Sequence, residues 1–169
     1  MNISDEQIEL KTLHNKSNYR IDDLDSEIRV DRLCSALLKK FHQHLLRQLQ
    51  FDPLNAGSQA AGADYFLREF MIGKRRQNIF DATAAQIKQF AGNWYIISNL
   101  EPNMEELGVM LQGTASFYRY CADNNLVQPE TADEIVETCQ QTDFFQQRIE
   151  DFHAISGNGY TDWDRACPL

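Results

Sequence analysis

Between residues 64 and 127 bulky apolar side chains recur every three or four positions, and polar punctuation marks where each recurrence begins and ends. A chain patterned this way buries its side chains along seams between helices, because a half-buried strand needs alternation with a period of two. Thr83 with Gln86 three residues later forms a capping-box pattern, after which Ile87, Phe90, Trp94 and Ile97 trace one helical face. Asn103 and Glu106 repeat the signal ahead of Leu107, Met110, Leu111, Thr114, Phe117, Tyr118 and Cys121, and Asn124-Asn125 mark that helix's end. Asp64 reads as the cap of a short helix carrying Tyr65, Phe66, Phe70 and Met71, with Gly73 as its left-handed stop.

The flanks follow the same logic. Leu24, Ile28, Leu33, Leu37, Phe41, Leu45 and Leu49 define one stripe on a long helix, which should stop near Phe51 because Asp52-Pro53 disfavours its continuation. Residues 54–62 (LNAGSQAAG) are small and read as a flexible connection, the best hinge in the chain. Pro129 and the pair Thr131 and Glu134 open a last helical region through Ile135, Val136, Cys139, Phe144, Phe145, Ile149 and Phe152, broken near Thr142-Asp143. The opening stretch to Arg20 carries only scattered aliphatics, and its first part reads as frayed or as a short helix. No sustained alternation is present, so no sheet is expected. The predicted architecture is an all-α, single-domain bundle of about five to seven helices. It divides into residues 1–62 (a long amphipathic helix and its flexible connection), 63–156 (the helical core) and 157–169 (a loop-like tail).

At 169 residues with 43% hydrophobic side chains the chain can bury a core without disulfide or metal staples. It contains no apolar run near membrane-spanning length, and MNISDEQIEL lacks the basic-then-apolar pattern of a secretory leader, so a soluble cytoplasmic protein is expected. Cys34, Cys121, Cys139 and Cys167 lack the close spacing of a zinc knuckle or redox dithiol. They are expected as reduced thiols, the first three buried on helix faces and Cys167 in a polar, exposed tail. The net charge of -9 is concentrated at the C-terminal end, where residues 127–169 hold two basic and nine acidic side chains. Such a balance disfavours nonspecific nucleic-acid binding, which requires cations to displace phosphate counterions.

The order of features in residues 65–127, carried by YFLREF at 65–70, IKQFAGNW at 87–94 and SFYRYCADNNLV at 116–127, resembles the SAM-like core-binding domain of phage integrases and other tyrosine recombinases. The resemblance implies a four-helix module that clamps DNA beside a separate catalytic domain. Where that family usually opens its second helix with threonine and carries a tyrosine one turn later, this chain has Ile79 and Thr83. Only 42 residues follow Val127, too few for the catalytic domain. At most the helical module is shared.

No catalytic residue is assigned and no cofactor is expected: glycine-rich phosphate loops, nucleophile elbows, H-E-x-x-H and dinucleotide fingerprints are all missing from the sequence. Glu150 and His153 form a single E-x-x-H, where a carboxylate-bridged metal bundle needs two. His42 and His44 diverge on a helix, and His14 stands alone. Lys74, Arg75 and Arg76, with Arg68, Lys88 and Tyr65 near them, read first as a solvated loop following a helix C-terminus. Their sharper reading is an anion or nucleic-acid contact in which the cations bind phosphate and Tyr65 stacks on a base. The adjacent aromatics Trp94-Tyr95 and Phe117-Tyr118-Tyr120 exceed what one helix face can bury, so they need a second covering surface, from this chain or a partner. Taken together, the expected function is a non-enzymatic protein-interaction or self-associating module. The alternatives are a DNA-binding accessory module related to integrase core-binding domains, and a metal-dependent or other enzyme with dispersed carboxylates, for which Glu150 and His153 are the candidate metal ligands.

Overall fold

A computed structural model of the chain describes residues 5–169. The elements run α1 (Asp5–Leu13), α2 (Leu24–Arg47), α3 (Pro53–Asp64) with a π-helical continuation (Tyr65–Lys74), α4 (Ala84–Gln89), a π-helical turn (Phe90–Trp94), α5 (Tyr95–Ser98), α6 (Met104–Asp123), α7 (Pro129–Cys139), α8 (Thr142–His153) and α9 (Gly159–Ala166). Counting each α–π run as one rod leaves eight among the described residues, with no strand between them. The chain is all-α.

Helix α6 is the axis of the bundle. Its Leu107, Met110, Leu111, Thr114, Phe117, Tyr118, Tyr120 and Cys121 are buried on several sides at once, so the adjacent aromatics are covered by other helices of the same chain. The polar ends of those rings are satisfied inside, the Tyr118 hydroxyl donating to the Ile79 carbonyl at 2.7 Å. Against α6 lies α3, antiparallel and in backbone contact: a Cβ on Gly113 would stand 2.1 Å from the Gln59 carbonyl oxygen, and one on Gly62 would stand 2.8 Å from the Met110 Cα. Only glycine permits that approach.

Helix starts follow their caps. The Asp23 carboxylate accepts from the Ser26 amide at 2.8 Å while the Ser26 hydroxyl accepts from the Asp23 amide at 2.9 Å, closing a reciprocal box on α2. Thr83 and Gln86 close the box expected for α4, and Asn103 caps α6 by accepting from the Glu106 amide at 2.8 Å. The chain turns out of α6 through Asn125 in the left-handed region (φ 58°).

Several local expectations are corrected. The flexible connection over 54–62 is helix α3, because Asp52 accepts from the Asn55 amide at 3.0 Å and Pro53 occupies the first helical turn, where it lacks nothing the helix needs. Small residues there serve the close contact with α6. Asp64 is therefore interior to a continuous helix and caps nothing, and the left-handed residue after the π segment is Arg76 (φ 52°), not Gly73. Helix α2 ends at Arg47, with Gln50 in the left-handed region (φ 56°). Its buried line is Val30, Cys34, Leu37, Leu38, Phe41 and Leu45, whereas Leu24, Ile28 and Leu49 face solvent. Thr131 and Glu134 lie inside α7, which begins at Pro129. Of the opening stretch, α1 is helical, and residues 1–4 lie outside the described residues.

The loop-like tail is the last correction, since it folds as α9 and is clamped by a buried arginine. Arg148, 5% exposed, donates from Nε to the Gly92 carbonyl at 2.8 Å and from Nη1 to the Trp163 carbonyl at 2.7 Å, and its guanidinium lies 4.0 Å from the Trp163 ring centre. Trp163 Nε1 donates back to the Arg148 carbonyl at 2.9 Å, and Asn93 Nδ2 donates at 2.8 Å both to Asp164 and to the Cys167 carbonyl. Cys167 is thereby buried instead of exposed. All four cysteines are free thiols, and burial raises their pKa, that of Cys139 to about 12.

Candidate functional site

The close approach of α3 and α6 leaves an open groove on the outer side of their crossing. Its volume is about 580 Å³, its floor is Ala61, Gly62, Val109 and Met110, and Tyr65 closes one end. Glu105 and Glu106 stand along the α6 side, where two carboxylates in a first helical turn are favoured by the helix dipole. Burial first, and behind it the Glu106 carboxylate, hold the nearby Tyr95 hydroxyl above its ordinary pKa. Val109 in the groove and Leu54 at the start of α3 are exposed, the latter to 82%. Leu100 is fully exposed in the turn that leads to Asn103, another groove residue. An apolar floor with an acidic lip suits a helix or extended segment carrying small apolar side chains and cations.

The six residues singled out by the sequence do not converge. Arg68 makes a bidentate pair with Asp31 (Nε 2.9 Å, Nη2 3.0 Å) and reaches Asp64 at 3.4 Å, contacts that raise its pKa and leave its fork occupied. Arg76 pairs with Glu27 at 3.1 Å. Arg75 turns to the Gln77 side-chain oxygen at 3.4 Å, and Lys74 is exposed. Lys88 sits elsewhere, its Nζ 5.1 Å from the Phe144 ring centre. Tyr65 packs its ring on Phe90 and Trp94, and its hydroxyl accepts from Asn99 Nδ2 at 3.3 Å. It borders the α3/α6 groove, away from any cation cluster.

Glu150 and His153 are both exposed on α8, and Glu150 accepts from Gln146 at 3.0 Å. Among the described residues no three histidine, cysteine, aspartate or glutamate side chains converge as metal ligands.

One pairing was hidden by sequence distance. His14 Nε2 and the Tyr120 hydroxyl, 106 positions apart, share a 2.8 Å hydrogen bond, and the His44 ring lies 5.1 Å from the Tyr120 ring. Lys40, Arg47 and Asp123 border the same cleft of about 420 Å³. Lys40 reaches Glu9 at 3.9 Å. A composition signal for this side was available: residues 32–51 contain Arg32, Lys39, Lys40 and Arg47 and no acid, in a chain of net charge -9.

Compared with protein-family models, with curated proteins and with solved structures, the chain matches none. No helix among the described residues is long and apolar enough to cross a membrane.

Proposed function

We propose that this chain is a non-enzymatic interaction module whose working surface is the α3/α6 groove. The observation that carries it is the pairing of a preformed apolar floor (Ala61, Gly62, Val109, Met110) with an acidic lip (Glu105, Glu106) and exposed leucines at Leu54 and Leu100. Single exposed apolar residues are ordinary on a protein surface, whereas an open apolar groove rimmed by one charge sign suits a binding face. The nucleic-acid reading draws on fewer groups than the sequence offered, since Arg68 and Arg76 are engaged by carboxylates.

A photoreactive residue placed at Val109 tests this. It should cross-link to another polypeptide in cells, while the same residue at exposed Glu150 on α8 should not. No cross-link from position 109, or equal cross-linking from both positions, overturns the proposal.

A further inference from the structure

We infer that α9 is a latch that opens while the bundle stays folded, and that Cys167 is a modification site at which a mixed disulfide with a small-molecule disulfide holds it open. Between residues 154 and 169 only Trp163 and Cys167 are buried, so little apolar surface holds the segment down. Residues 154–158, which join α8 to α9, are exposed except for half-buried Ile155 and turn through Gly157 in the left-handed region (φ 57°). What fastens α9 is polar: Arg148 holds the Trp163 carbonyl and ring, and Asn93 holds Asp164 and the Cys167 carbonyl. That fastening is incomplete. Among the described residues, Asn93 Oδ1 and Arg148 Nη2 have no hydrogen-bond partner, although the two side chains are only 0% and 5% exposed. An enclosed polar group without a partner raises the free energy of the closed state, and water admitted on opening offers both groups one.

The thiol faces the seat. Cys167 Sγ donates to the Lys88 carbonyl at 3.4 Å, and a Cβ on Gly92 would stand 2.9 Å from it. While α9 is closed, burial keeps reagents away and holds the thiol pKa above its ordinary value, with the Arg148 and Lys88 charges acting in the other direction. Opening lifts that burial. The Cys167 proton then passes to water and the thiolate attacks one sulfur of the disulfide; the sulfur–sulfur bond breaks, and the second sulfur leaves as a thiolate that takes up a proton. The Cys167 sulfur is oxidised into the mixed disulfide and the departing sulfur is reduced. The added sulfur removes the S–H donor that reached Lys88, and the Gly92 backbone leaves it no place in the seat, so the modified segment does not close. An open latch uncovers the Arg148 guanidinium and the Phe152 ring, on which Trp163 packs at 4.0 and 5.0 Å. Cys34, Cys121 and Cys139 are buried on α2, α6 and α7, whose exposure requires the bundle itself to unfold.

Incubating the full chain with glutathione disulfide under native conditions tests this. Peptide mapping by mass spectrometry should find the mixed disulfide at Cys167 and at none of the other three cysteines. In the modified chain the amides of residues 159–167 should exchange with deuterium as an unfolded segment does, while those of α6 keep the protection of the parent chain. A thiol reductant should restore protection to α9. Asp164→Ala removes an acceptor of the Asn93 side chain and should speed modification about tenfold with α6 protection unchanged. Absence of an adduct at Cys167, modification of all four cysteines together at the rate of global unfolding, or an adduct that leaves α9 protected each overturns the inference. So does an Asp164→Ala chain that keeps α6 protected and reacts no faster than its parent.

Discussion

Two joints of this fold, the α3/α6 crossing and the seat of α9, solve the same problem with opposite materials. At the seat of α9, polar groups are turned inward: Arg148 binds two carbonyls and stacks on Trp163, and Asn93, fully buried, binds Asp164 and the Cys167 carbonyl. At the α3/α6 crossing, closure comes from backbone proximity at Gly62 and Gly113, and the polar groups of the outer side, Glu105 and Glu106, remain at the surface. A helix pair joined without bulky side chains leaves room outside the joint. A segment held by an internal polar network uses its specificity on its own chain, and there the outer surface carries no comparable groove among the clefts described.

The largest effect should come from breaking the joint itself. Gly113→Ala sets a Cβ 2.1 Å from a backbone oxygen that cannot swing away, so α3 and α6 must separate. We expect a loss of about 3 kcal/mol or more, seen as a lower midpoint in thermal or urea unfolding. Gly108→Ala, on the same helix but with nothing outside that helix's own backbone within 4 Å of the added Cβ, should instead gain about 0.5–1 kcal/mol from helix propensity. Equal effects at the two glycines would mean that backbone contact does not govern this side.

The seat of α9 should give a somewhat smaller loss, because other contacts survive there. Arg148→Met keeps the volume and removes the donors, leaving the Gly92 and Trp163 carbonyls unpaired at an expected cost of about 2–3 kcal/mol. Trp163 emission should shift to the red as α9 loosens, while the parent chain keeps the blue-shifted emission of a buried indole. A variant as stable as the parent would fit the general finding that a buried charge can be exchanged for a hydrophobe without loss. In that event Arg148 would not be the clamp.

How far the sequence foretold these regions differs between them for physical reasons. The all-α class, the Thr83 and Asn103 starts and the apolar face of 107–121 were legible because caps and periodicity are local signals, whereas the axial position of that helix emerged only in the fold. Helix α3 was misread because glycine and alanine look alike in a flexible linker and in a helix pressed against a neighbour; only the facing Gly113 distinguishes them. Helix α9 was missed because its anchors Gly92, Asn93 and Arg148 lie 15 to 74 positions from the groups they hold. The cations were visible, but Asp31 and Glu27, which engage Arg68 of the π segment and Arg76 of the loop, sit on α2 far from them in sequence. The groove could not be seen at all, since it exists only as the outside of a crossing.

The smallest effect tests a joint intermediate between the two, where α1 meets α6 through one polar pair beside an open cleft. Burial lowers the His14 pKa from its ordinary 6.5, and burial pushes Tyr120 up to about 12, so at neutral pH an uncharged imidazole faces an un-ionised phenol. Because the folded-state pKa of His14 lies below the unfolded one, the unfolded chain binds more protons in the window between them. The contribution is therefore complete above pH 6.5 and declines as pH falls toward the folded-state value. Lys40, His44, Arg47 and Asp123 border the same cleft. Urea midpoints at pH 8 and pH 5.5 should fall further apart for the parent chain than for His14→Gln, which keeps a hydrogen-bonding group toward Tyr120 but does not titrate. Parallel pH profiles would place the proton-sensitive joint elsewhere and make α1 an apolar attachment held by Leu13, whose carbonyl accepts from the Tyr19 hydroxyl at 2.7 Å.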